Sequence, residues 1–533
     1  MWSPPTFDNA QNEWFKGSMS SFTWSQIEPS DGQFDWSKFD STITTAVQNG
    51  HYVMFMVYHG KHTPDWVYAK GVPKVQTSSG VTFPYYLSPE FGPLLKRMIK
   101  NVAQRVNGYP PAIRERILAV QYPCGSSGDP QAYDGTPLKS QYVISNSDWE
   151  SYTKNLLTYY QQQYQTYNSI SRPMVSLITV PEKLHPWVED NFRPYYMKNG
   201  VASHMYQGNG ELDWVMVPAQ VREFRPDGTA LRSRGENEWI EKAAFYKAAP
   251  LWNVYWLQLY NLHVRQDFHM LTEDTYTKPG YHDSFRFFSR YAGYKNARDS
   301  LGAFCALRDG LDASDETRFP ASKYGAVERT NKARYQKILA DFEPDGAKMA
   351  DWVRFAELNI SYRNIKGIND VGWRIVVDNY EMFLSQHDPN GTSKGMWQVG
   401  SKDQMYGRFA RRFDHASGRD AMYFRIDDDF FFNQPLDGAY PITIRVVYLD
   451  KGNGAWRLEY DAVGEPRKVA YTVTNTDSGL WKEKVVVVDD GFFGHRCPHD
   501  TDVVLVNTDA EDEAFHMVEV TRAQGNRKGY WGE

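Results

Sequence analysis

WSQIEPSDGQFDW, residues Trp24–Trp36, joins a strand-like run (Phe15 to Phe22) to a helix-like run (Phe39 to Gln48). The stretch is therefore one strand–loop–helix unit, with an aromatic, an acid and a Pro-Ser-Asp-Gly turn at the carboxyl end of the strand. In a (β/α)8 barrel that end is the functional face, which places Trp24 beside whatever the barrel binds.

Apolar strand candidates then recur with helix-like segments between them, the alternation that implies a parallel sheet. They are Tyr52 to Tyr58, Ile117 to Tyr122, Met174 to Val180, Ala202 to Tyr206, Ala230 to Arg234 and Phe268 to Thr272. With Phe15 to Phe22 they make seven, and the eighth strand has to come from Trp2 to Asp8, a poor strand by composition. Glu90 to Val106 and Trp149 to Tyr167 carry apolar residues at helical spacing. Ser284 to Leu311, containing Ala303-Phe304-Cys305-Ala306-Leu307, is expected to be the closing helix. Beyond Asp312 a mixed connector runs to Asn364. Period-two strands with Gly, Asn and Asp turns follow, from Trp373 to Leu384 through Asp502 to Asn507. The expected fold is α/β: a TIM barrel over 1–312, a connector over 313–364, and an antiparallel β-sandwich of jelly-roll type over 365–533.

Composition fits such a chain. Its 533 residues exceed what a single core accommodates. Hydrophobic content is 41% and mean hydropathy −0.61, with no apolar run near the ~20 residues of a membrane span. A formal charge of −6 argues against a nucleic-acid partner, which would demand concentrated Lys and Arg. Three cysteines, Cys124, Cys305 and Cys497, are odd in number and far apart, so no disulfide framework is indicated. The start lacks a charged-then-apolar leader, so an exported protein, secreted or periplasmic, would be present here in mature form. Oligomeric state is open, a homo-oligomer included.

The pattern Trp-Ser-x-Ile-Glu-Pro-x-x-Gly-x-Phe-Asp-Trp, followed by GHYVMFMVYH (Gly50–His59) and Thr63-Pro64-Asp65-Trp66, resembles the second and third β/α units of clan A glycoside hydrolases. The resemblance extends over roughly the first 310 residues, through Gly125 to Asp129 and Arg234-Gly235-Glu236. Within the clan it points to the branch of β-galactosidases, agarases and carrageenases. It implies a retaining hydrolase of a β-linked galactoside in an algal, sulfated or anhydro, galactan, with an oligo- or polysaccharide as partner and no required cofactor. The aromatic fraction of 15%, with 17 Trp and 35 Tyr, suits a sugar, whose C–H face stacks on flat rings.

Retention needs two carboxyl groups about 5–5.5 Å apart. The resemblance puts the nucleophile at the end of the seventh strand, where Glu236 follows Arg234-Gly235, and the Arg234 charge would keep that carboxylate ionised. Helix capping is the structural alternative for Glu236 and Glu238. The acid/base slot ends the fourth strand, Val120-Gln121-Tyr122-Pro123-Cys124, and there Cys124 stands where relatives carry Glu. A thiol cannot act as a tuned carboxylic acid. Three readings stay open: an introduced Glu-to-Cys change, another acid with Asp129 nearest in sequence, or a non-catalytic carbohydrate-binding protein on a degenerate barrel. A lyase or transglycosidase using the same cleft is a further alternative.

By position, His59, His62 and Trp66 after the third strand, Tyr122 on the fourth, His204 and Tyr206 on the sixth, and Trp24 and Trp239 are substrate-binding candidates. Trp187 and Trp214 are further stacking candidates, and each aromatic taken singly is also a core candidate. His185, Arg222, Arg225, Arg232 and Arg234 could bind a sulfate. His495-Arg496-Cys497-Pro498-His499 lacks the second cluster of a zinc site. Asp427-Asp428-Asp429 is the candidate for a structural Ca2+, with a solvated turn as the alternative.

Overall fold

The computed structural model describes residues 2–3, 14–126, 130–167, 175–178, 180–192, 196–199, 232–237, 250–263, 265–309, 315–328, 379–397, 404–431 and 439–522, together with isolated positions between 331 and 399. The chain divides into two compact units. One comprises residues 1–200, 223–234 and 268–273. The other comprises 201–222, 235–267 and 274–533.

The first unit is built on a closed barrel of eight strands: β1 (Trp2–Ser3), β2 (Gly17–Thr23), β3 (Tyr52–Tyr58), β4 (Ile117–Tyr122), β5 (Val175–Ile178), β6 (Tyr196–Asn199), β7 (Arg232–Asn237) and β8 (Phe268–Leu271). They lie side by side in chain order, and every registered pair is parallel. This is the TIM-barrel class. The weak first strand does close the ring, because Trp2 is paired with Gly17 on one side and Met270 on the other. The sixth strand lies at Tyr196–Asn199, before the expected Ala202 to Tyr206, which falls outside the described residues.

β3 shows why these segments become strands. Its sequence YVMFMVY is apolar on both faces, as a strand with strands beside it and helices outside requires. Val53, Phe55 and Val57 join the outer layer, together with Phe39 and Ile43 of helix α1 (Ser37–Gln48) and Leu95, Met98, Ile99 and Val102 of helix α2 (Phe91–Asn107). Met54 alternates to the other side, where it meets Ala119 with Met19 and Phe268 against them.

The turn between β2 and α1 is organised by a buried carboxylate. Glu28 accepts the Trp24 indole N–H at 2.9 Å and the Gly32 backbone N–H at 3.0 Å, and it pairs with Arg97 of α2. Its own carbonyl takes the Trp66 indole N–H at 2.9 Å. Arg97 continues to Asp31 at 2.7 Å, which it holds below the usual carboxylate range along with Lys70, whose hydrogen bond is the largest cause.

The second unit carries a twelve-stranded, antiparallel sheet: β9 (Gly302–Ala306), β10 (Tyr380–Met382), β11 (Leu384–Gln386), β12 (Lys394–Trp397), β13 (Phe409–Arg412), β14 (Ala421–Ile426), β15 (Tyr440–Asp450), β16 (Ala455–Ala462), β17 (Glu465–Thr474), β18 (Leu480–Gly491), β19 (Val503–Asn507) and β20 (Ala514–Arg522). The order along its main path is β10-β9-β20-β15-β18-β16-β19-β14-β11.

One expectation is corrected here. Only His282–Tyr291 of the expected closing helix is an α-helix, and Gly302–Ala306 is β9, between β10 and β20. All five β9 residues are buried, and a short wholly apolar run has no periodicity to separate strand from helix. Gly302 is required by the close packing: a Cβ there would lie 2.8 Å from the Tyr291 hydroxyl, the Thr521 methyl and the Val520 carbonyl. The connector proposed for 313–364 lies largely outside the described residues.

Two outcomes follow. Glu28→Ala strands Arg97, frees the Trp24 and Gly32 donors, and should cost about 3 kcal/mol, while Asp65→Ala, on an exposed pair with Lys74, should cost under about 0.5 kcal/mol. Thermal melts of the two variants measure the contrast. Glu513 is 3% exposed, and burial, ahead of the charges of Asp509, Glu511 and Asp512, pushes its carboxyl up to about 8. The unfolded chain ionises this group near 4.5 while the folded chain keeps its proton to about 8, so its contribution is fully present at low pH and lost as pH rises across that window. Glu513→Gln should therefore raise Tm more at pH 8 than at pH 5, and an equal shift at both would refute the assignment.

Candidate active site

The carboxyl ends of the barrel strands gather the residues picked from sequence, and the structure sorts them into three groups. The first supports the barrel rim. Trp24 is 0% exposed, with its indole N–H committed to Glu28, so neither ring face can meet a ligand. Trp66 is half-buried, packs edge-on against Trp24 at 5.8 Å, donates to the Glu28 carbonyl and carries Arg97 over its ring at 5.1 Å. The expectation that these two tryptophans stack on substrate is corrected: the buried Glu28 turn uses both. Tyr122 is also corrected, since it points outward and stacks on Tyr160 at 4.7 Å and Tyr164 at 5.8 Å, both on helix α3 (Asn146–Tyr167).

Cys124 belongs with them. Its side chain is 0% exposed in the outer aromatic layer, with Sγ 3.7 Å from the Tyr122 carbonyl and Tyr86, Tyr152 and Tyr160 as neighbours. Burial pushes the thiol far above its ordinary range, so it stays protonated and out of reach. The expectation of Cys124 in the acid/base slot is corrected on that ground. The wall of tyrosine rings leaves no space for a leaving group beside the sulfur.

The second group locks two loops together. His59 is buried, and its Nε2 lies 2.8 Å from the Pro123 carbonyl, to which the Nε2–H tautomer donates. Burial lowers this imidazole to about 4, so it is neutral near pH 7. Gly60 follows with φ +53°, and a Cβ there would come within 2.9 Å of the Ser126 carbonyl and 3.0 Å of the Gly125 carbonyl and the Tyr86 hydroxyl. The loops after β3 and β4 thus touch backbone to backbone. His59 acts as their clamp, while the binding candidate in this segment is His62, half-buried with its ring 5.8 Å from that of Tyr58. Burial and then the Lys61 charge keep the His62 imidazole below its ordinary value.

The third group is the end of β7. Arg234 is 1% exposed, and its Nη1 lies 3.7 Å from the Met19 sulfur, on the face of β2 that turns to the barrel interior. Gly235 packs against Gln266, whose carboxamide oxygen would lie 2.1 Å from a Cβ there and would have to move to admit one. Glu236 has its backbone in β7, and its side chain lies outside the described residues. Asp129, His204, Tyr206, Trp214, Glu238 and Trp239 also fall outside them, as do Arg222 and Arg225 and the side chains of His185 and Arg232. Trp187 is half-buried against Phe192, with the Lys154 ammonium 5.5 Å from its ring.

The sequence singles out Glu28 through its Ile-Glu-Pro pattern, but not its partner Arg97, nor Gly60 and Gln266. Arg97 is distant in sequence with no local signature, and only the Gly after His59 hinted at a turn.

Among the described residues no three His, Cys, Asp or Glu side chains converge on a metal-sized site. His495 is held by Asp502 at 2.8 Å and Asp428 at 2.9 Å, Cys497 is buried with Sγ 2.9 Å from the Pro466 carbonyl, and His499 stacks on His387 at 4.5 Å. Asp428 also takes Arg425 at 2.7 Å and Asp429 takes Arg298 at 3.1 Å. Within the Asp427–Asp429 run, Asp428 and Asp429 are thus each paired with an arginine.

A family profile described as β-galactosidase matches residues 8–79, the stretch that holds β2, the Glu28 turn, α1 and β3. No curated protein sequence matches the chain. Solved structures that it resembles include the catalytic domain of a β-amylase from Paenibacillus polymyxa, at 9% identity over 52% of this chain and 90% of that one, TM-score 0.34. Another is the cold-adapted β-galactosidase from Rahnella sp. R3, at 10% identity over 60% and 58%, TM-score 0.33. Xylanase B from Clostridium stercorarium F9 matches at 13% identity over 55% and 82%, TM-score 0.29. Through that profile at the amino end of its barrel, the chain resembles the clan A glycoside hydrolases.

Proposed function

We propose that the chain is a retaining glycoside hydrolase acting on β-linked galactosides of an algal galactan such as carrageenan, agarose or porphyran. It works from a complete (β/α)8 barrel, carries an accessory antiparallel sandwich, and is secreted or periplasmic. The observation that carries the reading is the Arg234-Gly235-Glu236 stretch in β7 of a closed barrel, with Arg234 buried on the interior side. Glu236 follows Arg234-Gly235 directly in sequence, the place where the resemblance puts the nucleophile. A neighbouring guanidinium favours the ionised carboxylate that a nucleophile requires.

Glu236 attacks the anomeric carbon as the acid/base protonates the departing glycosidic oxygen, giving a glycosyl-enzyme ester. The acid/base, now a base, then takes a proton from water, which attacks the same carbon and releases Glu236. We assign the proton-transfer role to Asp129, the acid nearest in sequence, a choice that the burial of the Cys124 thiol supports. His62 and Tyr58 supply polar contacts at the rim of β3. The second reading, a carbohydrate-binding protein on a degenerate barrel, is favoured by one observation: the position where relatives carry Glu is filled by a buried thiol.

Hydrolysis of agarose, porphyran and carrageenan oligosaccharides, followed by mass spectrometry, tests both. Glu236→Gln should lower kcat at least about a thousandfold, and Asp129→Asn should do so for unactivated substrates. Cys124→Ser should leave kcat unchanged, whereas Cys124→Glu, which forces a carboxylate among tyrosine rings, should lower Tm by several degrees and gain no activity. Activity that appears only with Cys124→Glu would return this position to the acid/base role. Binding without cleavage by the unaltered chain and by every variant would favour the second reading.

A further inference from the structure

The second unit contains a recess of about 480 Å3, within the size range of about 300–1,000 Å3 that small-molecule sites occupy. It lies between the end of helix α4 (Pro250–His263), the β10–β11 corner and the end of β14. None of its residues belongs to the barrel.

Its wall is held in an uncommon backbone conformation. Arg265 and Phe383 have φ of +62° and +60°, the left-handed region that side-chain-bearing residues seldom enter. The Arg265 guanidinium covers the Phe383 ring at 4.4 Å and donates to the Leu262 and Glu381 carbonyls at 3.4 Å. His263 Nδ1 lies 3.1 Å from the Glu381 backbone nitrogen and 3.3 Å from its carbonyl oxygen, which ties the imidazole to this residue's backbone. Two strained residues from different segments, braced on each other, fix this side of the recess in advance.

The opposite side is acidic and basic together. Arg425 holds Asp428 at 2.7 Å, while Asp427 stands exposed at the rim with one oxygen on the Asp429 N–H at 3.0 Å. Partial burial, ahead of Asp429 and Asp428, raises the Asp427 carboxyl above its ordinary range. Ser385, on β11, adds a hydroxyl to the lining.

We propose that this recess is a second saccharide site, independent of the barrel, which takes a neutral pyranose. The lining decides the charge class. Carboxylates accept only and guanidiniums donate only, and both are present in one small volume. A polyol satisfies the two kinds together, since each hydroxyl donates to one and accepts from the other. A sulfated sugar would face Glu381, Asp427 and Asp428, and a cation would face Arg265 and Arg425. The choice of a sugar over another polyol rests on the carbohydrate reading above.

The test is ligand-observed NMR titration of the full chain with methyl β-galactopyranoside and with galactose 6-sulfate. The neutral sugar should bind and the sulfated one should bind more weakly. Asp427→Ala should weaken binding by about tenfold, the loss expected for one hydrogen-bonding partner to a ligand. Ser385→Trp, which fills the recess, should remove the Asp427-dependent binding and leave only what the barrel takes. Glu236→Gln should leave the Asp427-dependent binding within about twofold, because that position belongs to the barrel. A melt matching the parent shows that Asp427→Ala is folded. No binding of the neutral sugar, tighter binding of the sulfated one, or binding indifferent to both Asp427→Ala and Ser385→Trp overturns the proposal. Titration that persists when no galactan is cleaved leaves this site standing and removes only the hydrolase.

Discussion

The Glu28 carboxylate is the interaction on which the described part of the barrel rim depends. It is a buried acid, and a buried acid survives only when its charge is paired and its lone pairs are occupied. Trp24, Gly32 and Arg97 meet those demands, and each comes from a different place: the end of β2, the turn itself and α2. Satisfying one side chain therefore fixes three segments. Trp66 is added through the Glu28 carbonyl, so the loop after β3 is tied to the same point. The aromatic residues that look like a sugar platform in sequence are the supports of this turn.

The same logic continues around the rim. Gly60 lets the β3 loop approach the β4 loop until backbone meets backbone, and His59 donates across the gap as a neutral imidazole because burial removes its charge. Cys124 then faces outward among tyrosines, where burial pushes its thiol well above the ordinary range. Burial decides chemistry in each case. Neither residue can exchange protons with a substrate, however suggestive its type and position.

How far the sequence was legible follows from what periodicity can carry. β3, β4 and β14 end where the pattern says, because their alternating or continuous apolar runs are bounded by turn residues. β20 was missed because AFHMVEVTR is buried along most of its length and shows no alternation, and β13 because four residues are too few for a period. At the site, Arg234 was singled out by its motif, and the structure buries it. Trp24, Tyr122 and Cys124 were misplaced for one reason: a residue at or just past the carboxyl end of a barrel strand faces either the interior or the helices, and sequence position alone does not say which. One residue of register reverses the answer.

That ambiguity bears also on where the chain can be divided. A cut at 312, where the sequence pattern changes, would leave β9 with the barrel segment and strip it from between β10 and β20. Both neighbours would lose a partner, and β20 would expose the edge along which Gly302 to Ala306 now pair with Thr521 to Met517. An unpaired edge of that length is a template for association with other chains. Phe304 makes the loss larger, since its ring packs on Phe287 and Tyr291 at 5.2 and 5.0 Å, so the helix that holds them belongs with the sheet as well. The sheet is thus completed only by residues that precede it by some seventy positions. A fragment beginning at 313 lacks an internal strand of its own sheet, and the second compact unit accordingly takes in 201–222 and 235–267 as well as everything from 274 onward.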